Sequence, residues 1–398
     1  MAKNTRQTMK KFFFSLLLLI ASIGAINAQS SAMATLSHNG KITVFYGKGA
    51  LSEAHSAAKP GDIISLSSGT FTATDITKAI TLRGAGCEED TVRNIIPTRI
   101  EGDFTINVTY TTSSNTSNSE GSGNGSLGFD DVDSIANYSI STYGVGGITS
   151  QTTHRLTIEG IYCNDKIFIK GVLNNAAFIK NIFNNYVSYY DTSTSASKSY
   201  TNNSFVQCRF TKEFLGPYSF TKASSYSFVN CIFENGIANE GVSSTFTNCI
   251  IFHGTYRIGY SDYTYLSNIK YAALYNCILV GNNTNSYNYI GATSYATNCV
   301  AINTQNVLKN FYTNSSSTNR LCATADLFGT AGAVYPYKLT DTAKTKYLGK
   351  DGKEVGIYGG SFPYNTTVAN PYIVKCNVAP YSTNDGKLSI EIEIKSAE

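Results

Sequence analysis

FVNCIF, residues 228–233, recurs along the second half of this chain, and its repetition decides the fold. The pattern returns as FTNCII (246–251), LYNCIL (274–279) and ATNCVA (296–301), with a looser version, FVQCRF, at 205–210. FIKNIF, residues 178–183, has the same form with Asn181 in the cysteine position. The spacing between successive cysteines varies around 23 residues, and Cys163 and Cys322 extend the series at its two ends.

A unit of this length with one short apolar segment cannot bury a hydrophobic face alone, but stacked units can. Spacings that vary around a constant segment indicate loops of different length between equivalent strands. The repeat therefore predicts a parallel β-solenoid of about ten or more coils, each adding about 4.8 Å along the axis.

The parity of the strand predicts where each sulfur points, since alternate side chains face opposite sides. Arg209 follows Cys208, and an unpaired arginine is costly in a core, so we expect the cysteines to face inward. Equivalent side chains of adjacent coils run parallel at about 4.8 Å, which does not suit a disulfide. We expect free, buried thiols that act as small hydrophobic groups. We expect the preceding asparagines to lie outward or at a turn, with amides that bond from coil to coil.

The first 28 residues have the pattern of a signal peptide, with a basic start, an apolar run at 12–20 and small residues up to Ala28. The remaining chain has 27 basic and 27 acidic residues, so its net charge is near zero. This balance excludes a basic surface for nucleic acid, and no second segment has the length and hydropathy of a membrane span. We expect an exported protein in the periplasm, on the cell surface or outside the cell.

The flanking regions complete the predicted architecture. GALSEAHSAAKPGD, residues 49–62, predicts a short helix that caps the stack, and residues 111–134 are a Ser/Asn/Gly-rich flexible loop. Residues 349–365 predict turns around one strand, and the strands YIVKCNV and KLSIEIEIK predict a terminal hairpin. We predict an all-β chain with a signal peptide at 1–28, a β-helix at 29–348 and C-terminal strands at 349–398 packing on it.

The stretch at 49–86, taken with the repeated Asn-Cys pairs, resembles the secreted bacterial right-handed parallel β-helix proteins of the pectate-lyase-like superfamily. The resemblance covers most of residues 41–330 and implies a right-handed solenoid. It also implies a choice of activity, because relatives of this kind include Ca²⁺-assisted polysaccharide lyases and aspartate-based glycoside hydrolases.

Either chemistry requires carboxylates clustered on neighbouring coils. Only eight acidic residues lie between 135 and 340, and they form no close pair in the sequence. The order of the hydrolase motifs is also absent, so we assign no catalytic residue, and no cofactor or metal. Asp130, Asp131 and Asp133 suit Ca²⁺ as a residue type, but a solvated loop explains them better. Glu88-Glu89-Asp90 reads as an exposed turn.

The longest gap between clear repeats, from Cys249 to Cys277, contains the candidate binding residues Tyr256, Arg257, Tyr260 and Asp262. Tyrosine offers a flat apolar ring with a hydroxyl group, and the charged pair suits sugar hydroxyls or carboxylates. Packing of this loop over the next coil is the competing interpretation.

The sequence favours a monomeric, non-catalytic protein that binds a glycan or a cell-surface polymer. A polysaccharide lyase or glycoside hydrolase with an unrecognised site is one alternative, and a structural protein of the cell envelope is another.

Overall fold

The computed structural model describes residues 32–89, 91, 96–108, 154–171, 173–189, 200–216, 225–239, 243–258, 261–265, 268–269, 272–281, 294–302, 318–366, 372–378, 387 and 390–395. Within these residues the chain is mostly β, with long stacks of parallel strands. This agrees with the predicted parallel solenoid.

Three long sheets form the body of the molecule, and each coil contributes strands to them in turn. Sheet A contains β1 (Met33–His38), β2 (Lys41–Tyr46), β3 (Ile63–Leu66), β5 (Thr81–Arg83), β8 (Thr157–Glu159), β11 (Ala177–Ile179), β14 (Asn203–Val206), β17 (Ser225–Val229), β20 (Ser243–Thr247), β25 (Ala272–Tyr275) and β27 (Tyr295–Thr297). Sheet B contains β4 (Gly69–Thr72), β6 (Thr98–Glu101), β9 (Tyr162–Cys163), β12 (Ile182–Phe183), β15 (Arg209–Phe210), β18 (Ile232–Phe233), β21 (Ile250–Phe252), β26 (Ile278–Val280), β28 (Val300–Ile302) and β29 (Arg320–Cys322). Sheet C contains β7 (Phe104–Ile106), β10 (Ile167–Ile169), β13 (Val187–Tyr189), β16 (Phe214–Leu215), β19 (Ile237–Asn239) and β24 (Asn268–Ile269).

The remaining elements flank these sheets. Helix α1 (Ala50–Ala57) packs against the first strands, while α2 (Thr324–Phe328), a 3₁₀ turn (Gly329–Ala331) and α3 (Asp341–Lys346) follow the last strand of sheet B. Two antiparallel hairpins pair β22 (Gly254–Ile258) with β23 (Ser261–Tyr265) and β30 (Tyr372–Val378) with β31 (Ile390–Lys395). The second of these agrees with the predicted terminal hairpin.

Phenylalanine stacks fill the interior because equivalent residues of successive coils are in register. On sheet A, Phe205 stacks on Phe178 and Phe228 with ring centroids 4.6 Å and 5.0 Å apart. On sheet B, Phe210 stacks on Phe233 at 4.7 Å. The two stacks contact each other edge to face, a favourable geometry for aromatic rings. They therefore fix the register of neighbouring coils as well as burying apolar surface.

The corner between sheets A and B requires a left-handed backbone at one residue of each coil. We call these residues the corner row; their φ angles lie between 51° and 55°, and they are Lys180, Gln207, Asn230, Asn248, Asn276 and Asn298. Asparagine adopts this conformation more readily than most residues. The prediction that the asparagines lie at a turn is confirmed, and the turn explains why four of the six are asparagine.

Five corner residues are each followed in the sequence by a cysteine whose side chain faces the core, and we call these five cysteines the cysteine ladder. Cys208, Cys231, Cys249, Cys277 and Cys299 are fully buried and free, as predicted. Each thiol lies near a carbonyl of the preceding coil, for example Sγ of Cys277 at 3.4 Å from the Phe246 oxygen. The Cys277 N–H in turn donates to Sγ of Cys299 at 3.3 Å. The thiols thus supply hydrogen bonds as well as the small apolar volume that was predicted.

Asparagine replaces cysteine at both ends of this ladder. Asn181 accepts the Ile161 N–H at 3.0 Å and donates to the Ile158 carbonyl at 2.8 Å. Asn319 bonds in the same way to Cys299 and Ala296. Asn181 therefore occupies the cysteine position, as predicted.

The register assigned to the two outlying cysteines is wrong. Cys163 is in register with Phe183, and Ile161 is the residue that precedes β9. Cys322 is in register with Ile302. Both lie two or three residues beyond the ladder position, because the nearly regular spacing does not separate one strand position from another.

A C-terminal segment, residues 323–366, lies across the outer face of sheet B, and we call it the strap. It buries side chains that point away from the solenoid core, and the resulting second core consists of Ile232, Ile250, Ile278, Val280, Val300, Ile302, Leu327, Phe328, Tyr337, Leu339, Ala343, Tyr347, Val355, Ile357 and Tyr364. The strap explains why the residue after most ladder cysteines is apolar although it faces outward.

Three side-chain amides of the corner row, those of Gln207, Asn230 and Asn276, bond to the strap rather than from coil to coil as predicted. Nδ2 of Asn230 donates to the carbonyls of Ile357 at 2.7 Å and Gly359 at 2.9 Å. Gln207 donates to Phe362 and Pro363 in the same manner. Because the strap is itself irregular, its backbone groups need these partners.

Candidate functional site

The outer face of sheet A forms an uncharged strip over five successive coils. Two in-register rows make up this strip, which we call the hydroxyl strip: Ser204, Ser227, Thr245, Ala273 and Tyr295, and Val206, Val229, Thr247, Tyr275 and Thr297. In the first three of these coils every side chain of the strip is serine, threonine or valine, so no large side chain projects there. Hydroxyl groups on a flat, rigid face are suited to hydrogen bonding with an extended polar ligand.

Two tyrosines stand at one end of the hydroxyl strip. Their hydroxyl oxygens are 2.9 Å apart, and the rings of Tyr275 and Tyr295 meet edge to face with centroids 5.9 Å apart. Tyr295 is 46% exposed, so its ring is accessible to a ligand. Desolvation and the hydrogen bond with its neighbour raise the pKa of Tyr275 to about 12, so this hydroxyl is neutral near neutral pH.

The predicted binding residues lie in the hairpin β22–β23, inserted in the chain between sheets B and C. The backbone register places Arg257 opposite Asp262 and Tyr256 opposite Tyr263. Opposite residues of an antiparallel pair share one face of the ribbon, so Arg257 and Asp262 are neighbours on the backbone. Tyr260 lies outside the described residues. The hairpin thus brings three of the four predicted residues into one element, and their role as a binding site stays a prediction.

A cluster of charged and phenolic groups lies between the strap and sheet B. Arg209 bonds to Glu234 at 3.0 Å, lies 4.0 Å from Glu88, and stacks on the Tyr335 ring at 4.1 Å. The Tyr335 hydroxyl donates to Glu88, and the Tyr337 hydroxyl donates to Glu234 at 2.6 Å. Tyr337 is buried, and the other four groups are half-buried. The prediction of an exposed turn at Glu88-Glu89-Asp90 is therefore wrong for Glu88, whereas Glu89 is exposed and Asp90 lies outside the described residues.

Two carboxylates approach one arginine in this cluster, and a pair of carboxylates is what a glycosidase site requires. Here, however, each carboxylate already accepts hydrogen bonds from the strap, and Glu88 also accepts one from Thr366 at 2.8 Å. Burial and the adjacent carboxylates raise the pKa of Tyr335 and of Tyr337, which keeps both phenols protonated as donors. The cluster acts chemically as a clamp that holds the strap to the solenoid.

Metal binding finds no support in the described part of the chain, where no three His, Cys, Asp or Glu side chains come together as ligands. His38 bonds to Asp62 at 2.6 Å, whereas His55, a residue of α1, is buried, and desolvation lowers its pKa. Asp130, Asp131 and Asp133 lie outside the described residues.

Helices of membrane-spanning length and hydropathy do not occur among the residues described. Comparison of the chain with family models, with curated proteins and with solved structures gives no match.

The exposed tyrosine pair is the feature that the sequence reasoning missed. Tyrosine is abundant in this chain, with 28 residues, so neither member is distinctive in the sequence. The available signal was parity: Tyr275 and Tyr295 each neighbour the inward-facing Leu274 or Ala296, so both must face outward.

Proposed function

We propose that this chain is an exported, non-catalytic protein that binds a glycan or another cell-surface polymer along the outer face of sheet A. The observation that carries this proposal is the exposed Tyr275–Tyr295 pair at the end of an uncharged hydroxyl strip. Aromatic rings with a hydroxyl group combine apolar contact with hydrogen bonding, which suits sugar rings. The rigid stack holds both tyrosines in place before a ligand binds.

The handedness of the solenoid, its superfamily and the domain bounds are part of the same proposal. We assign a right-handed parallel β-helix of the pectate-lyase-like type at 29–348, with C-terminal strands at 349–398 and a cleaved signal at 1–28. Crossover connections between parallel strands are right-handed in nearly all proteins, which supports this hand. Helix α1 buries Leu51 and Ala54 against the first strands, which supports a capping role.

Binding is favoured over catalysis by the state of the acidic residues. The pair of carboxylates that converges in the described residues, Glu88 and Glu234, is held by Arg209 and two tyrosines of the strap. A general acid or base must be within reach of the substrate, and these groups are engaged with the protein.

Retention on insoluble polysaccharides tests the proposal. The mature chain would be incubated with cellulose, chitin, xylan and de-esterified pectin, and bound protein would be measured after washing. We expect retention on at least one of them, and at least a tenfold weaker affinity for a Tyr275→Ala/Tyr295→Ala variant. Tyr162→Ala is the matched control, because Tyr162 lies on the outer face of sheet B beneath Arg99.

Two further arms separate the alternatives. A Tyr256→Ala/Tyr260→Ala variant tests the hairpin, and loss of binding in this variant alone would move the site from the strip to the hairpin. Release of reducing ends or unsaturated products from any polysaccharide would favour the enzyme. A protein that none of the polymers retains would refute the proposal and favour a structural role in the envelope.

A further inference from the structure

Strand β2 forms one edge of sheet A, and no strand of the described residues pairs with its far side. Three large apolar side chains on its outward face, those of Ile42, Val44 and Tyr46, are between 40% and 67% exposed. Ile63 is also exposed and lies on the same row as Ile42, two strands further into the sheet. An exposed apolar edge strand is a template for pairing with another strand.

The backbone groups that face this open edge belong to the same three residues. Gly47, which follows β2, donates its N–H to the Ala32 carbonyl at 2.7 Å and so continues the pairing of β2 with β1. In an antiparallel pair, residues bonded to the partner strand alternate with residues whose N–H and C=O groups point away from it. Counting back from Gly47 directs the N–H and C=O groups of Ile42, Val44 and Tyr46 to the open edge.

These features make β2 complementary to a second copy of itself. With a two-fold axis at Val44, an antiparallel pair places Val44 opposite Val44 of the second copy, and Ile42 opposite Tyr46 of the second copy. Every one of these positions is hydrogen-bonded in that register, so about six N–H···O bonds form. An aromatic ring opposite a β-branched side chain is a favourable cross-strand pair. No charged residue lies between positions 42 and 46 to oppose this register.

Two exposed lysines flank the apolar row, Lys41 at one end and Lys48 at the other. The same register places Lys41 opposite Gly47 of the second copy, and therefore near Lys48 of the second copy. Salt screens repulsion between exposed charges. We therefore expect this pairing to strengthen as the ionic strength rises.

We propose that two copies of this chain associate by antiparallel pairing of their β2 strands, which joins their A sheets edge to edge. This departs from the monomer expected from the sequence. Each copy uses the same edge, so the contact closes on itself and assembly stops at the dimer. Pairing also covers an apolar edge that would otherwise favour aggregation.

The dimer does not depend on the proposed function, because the first strand of the hydroxyl strip, β14, is six strands away from β2 in sheet A. The two inferences are nonetheless compatible. A two-fold axis perpendicular to the sheet keeps the outer faces of both copies on the same side. One polymer molecule could then contact both hydroxyl strips, which would increase its apparent affinity.

Sedimentation velocity of the mature chain, measured from micromolar to submillimolar concentration, tests the association. We expect a monomer–dimer equilibrium that shifts toward the dimer as salt is added. Val44→Lys places two like charges opposite each other at the axis and should weaken the association at least tenfold. Ser188→Lys adds the same charge to an outward position in the middle of sheet C and should dimerise as the wild type does.

Oxidative cross-linking tests the register. In a Val44→Cys variant the two new thiols lie opposite each other across the axis, at a separation that a disulfide can span. We expect a covalent dimer on a non-reducing gel after mild oxidation with copper–phenanthroline. Ile42→Cys is the matched control, because its two thiols would lie four residues apart along the strands and should cross-link no more than the wild type.

The melting temperature of each variant shows whether folding is retained. If Val44→Lys does not fold, Val44→Pro replaces it, because the N–H that proline removes points to the open edge. A wild type that stays monomeric at every concentration would overturn the proposal and leave the edge to a strand of another protein. Equal dimerisation of a folded Val44 variant, equal cross-linking at positions 42 and 44, or growth into larger oligomers would overturn it as well.

Discussion

At the scale of single residues, asparagine and cysteine are adjacent at the corner because the two positions have different requirements. The first needs a left-handed backbone and a side chain that reaches the strap, and asparagine satisfies both. The second faces the core and must satisfy backbone groups that the corner removes from the sheet ladder. A thiol does so at little cost in volume, since it donates weakly and also accepts.

The cysteine ladder predicts a marked difference between two substitutions at Cys249. Cys249→Asp buries a carboxylate beside apolar side chains and should lower the free energy of unfolding by about 3–5 kcal/mol. Cys249→Ala removes only the sulfur contacts and should cost about 1–2 kcal/mol. Equilibrium urea unfolding measures both values. The same pair of substitutions at Cys322, which is only partly buried, is the control and should differ less. Equal costs for Asp and Ala at Cys249 would contradict its inward position.

Glu213 predicts a pH dependence of stability. The residue is 7% exposed, and burial raises its pKa from 4.5 to about 7. Because the folded state holds the proton more tightly than the unfolded chain, the stability that this group contributes is complete below pH 4.5 and is lost as the pH rises through 7. Glu213→Gln should therefore unfold with a free energy about 1–3 kcal/mol higher than the wild type at about pH 8, and similar to it at about pH 4. Urea unfolding at the two pH values measures this difference, and parallel pH profiles would refute it.

At the scale of elements, the strap is the part of the molecule that the repeat does not explain. It has no repeated motif, yet it contacts a repeated surface: the corner row through its backbone and sheet B through its apolar side chains. Two helical segments and many turns let it follow that surface. The clamp of Arg209, Glu88 and Glu234 fixes it near the middle of the stack.

Asn230→Gly separates the two roles of a corner asparagine. Glycine adopts the left-handed backbone without strain, so this substitution removes only the amide that bonds to Ile357 and Gly359. We expect a loss of about 1–3 kcal/mol in the free energy of unfolding. Asn298→Gly is the matched control, since the strap does not bond to that side chain, and we expect a change within about 0.5 kcal/mol. Similar losses in both variants would show that the strap contacts contribute little.

At the scale of the whole molecule, the stack of ten strands in sheet B makes the body longer than it is wide. Each coil contacts its neighbours, and the core is a continuous column of stacked side chains. Such a body keeps distant surface features at fixed separations, which a binding face along its side requires.

The shape gives a direct prediction. Ten coils at about 4.8 Å each produce a body about 50 Å long. Small-angle X-ray scattering of the mature chain should show an elongated particle with a cross-section that stays constant along this length. A spherical particle of the same mass would contradict a solenoid.

The repeat sufficed to predict the stack, the inward cysteines and Asn181 in the ladder, because stacking imposes the same parity on every coil. It did not predict the strap, whose contacts join residues more than a hundred positions apart, such as Asn230 and Ile357. The sequence did contain one indication of the strap. The outward-facing residues after three ladder cysteines are apolar, which indicates that another segment covers them: Ile232, Ile250 and Ile278. The tyrosine pair was not predicted because its members lie on different coils and are not direct partners in the strand register: Tyr275 is opposite Thr297, and Tyr295 is opposite Ala273.

The strap also has a consequence for the order in which the molecule assembles. Coils contact only their neighbours, so they can form one after another as the chain emerges with its N-terminus first. The strap instead joins Glu88 to Tyr335, 247 positions later, and closes a loop around most of the stack. Contacts of this range form late and couple regions that would otherwise open separately. A chain stopped after residue 322 would thus contain every strand of sheet B, but none of the strap contacts that unite them in a single cooperative transition.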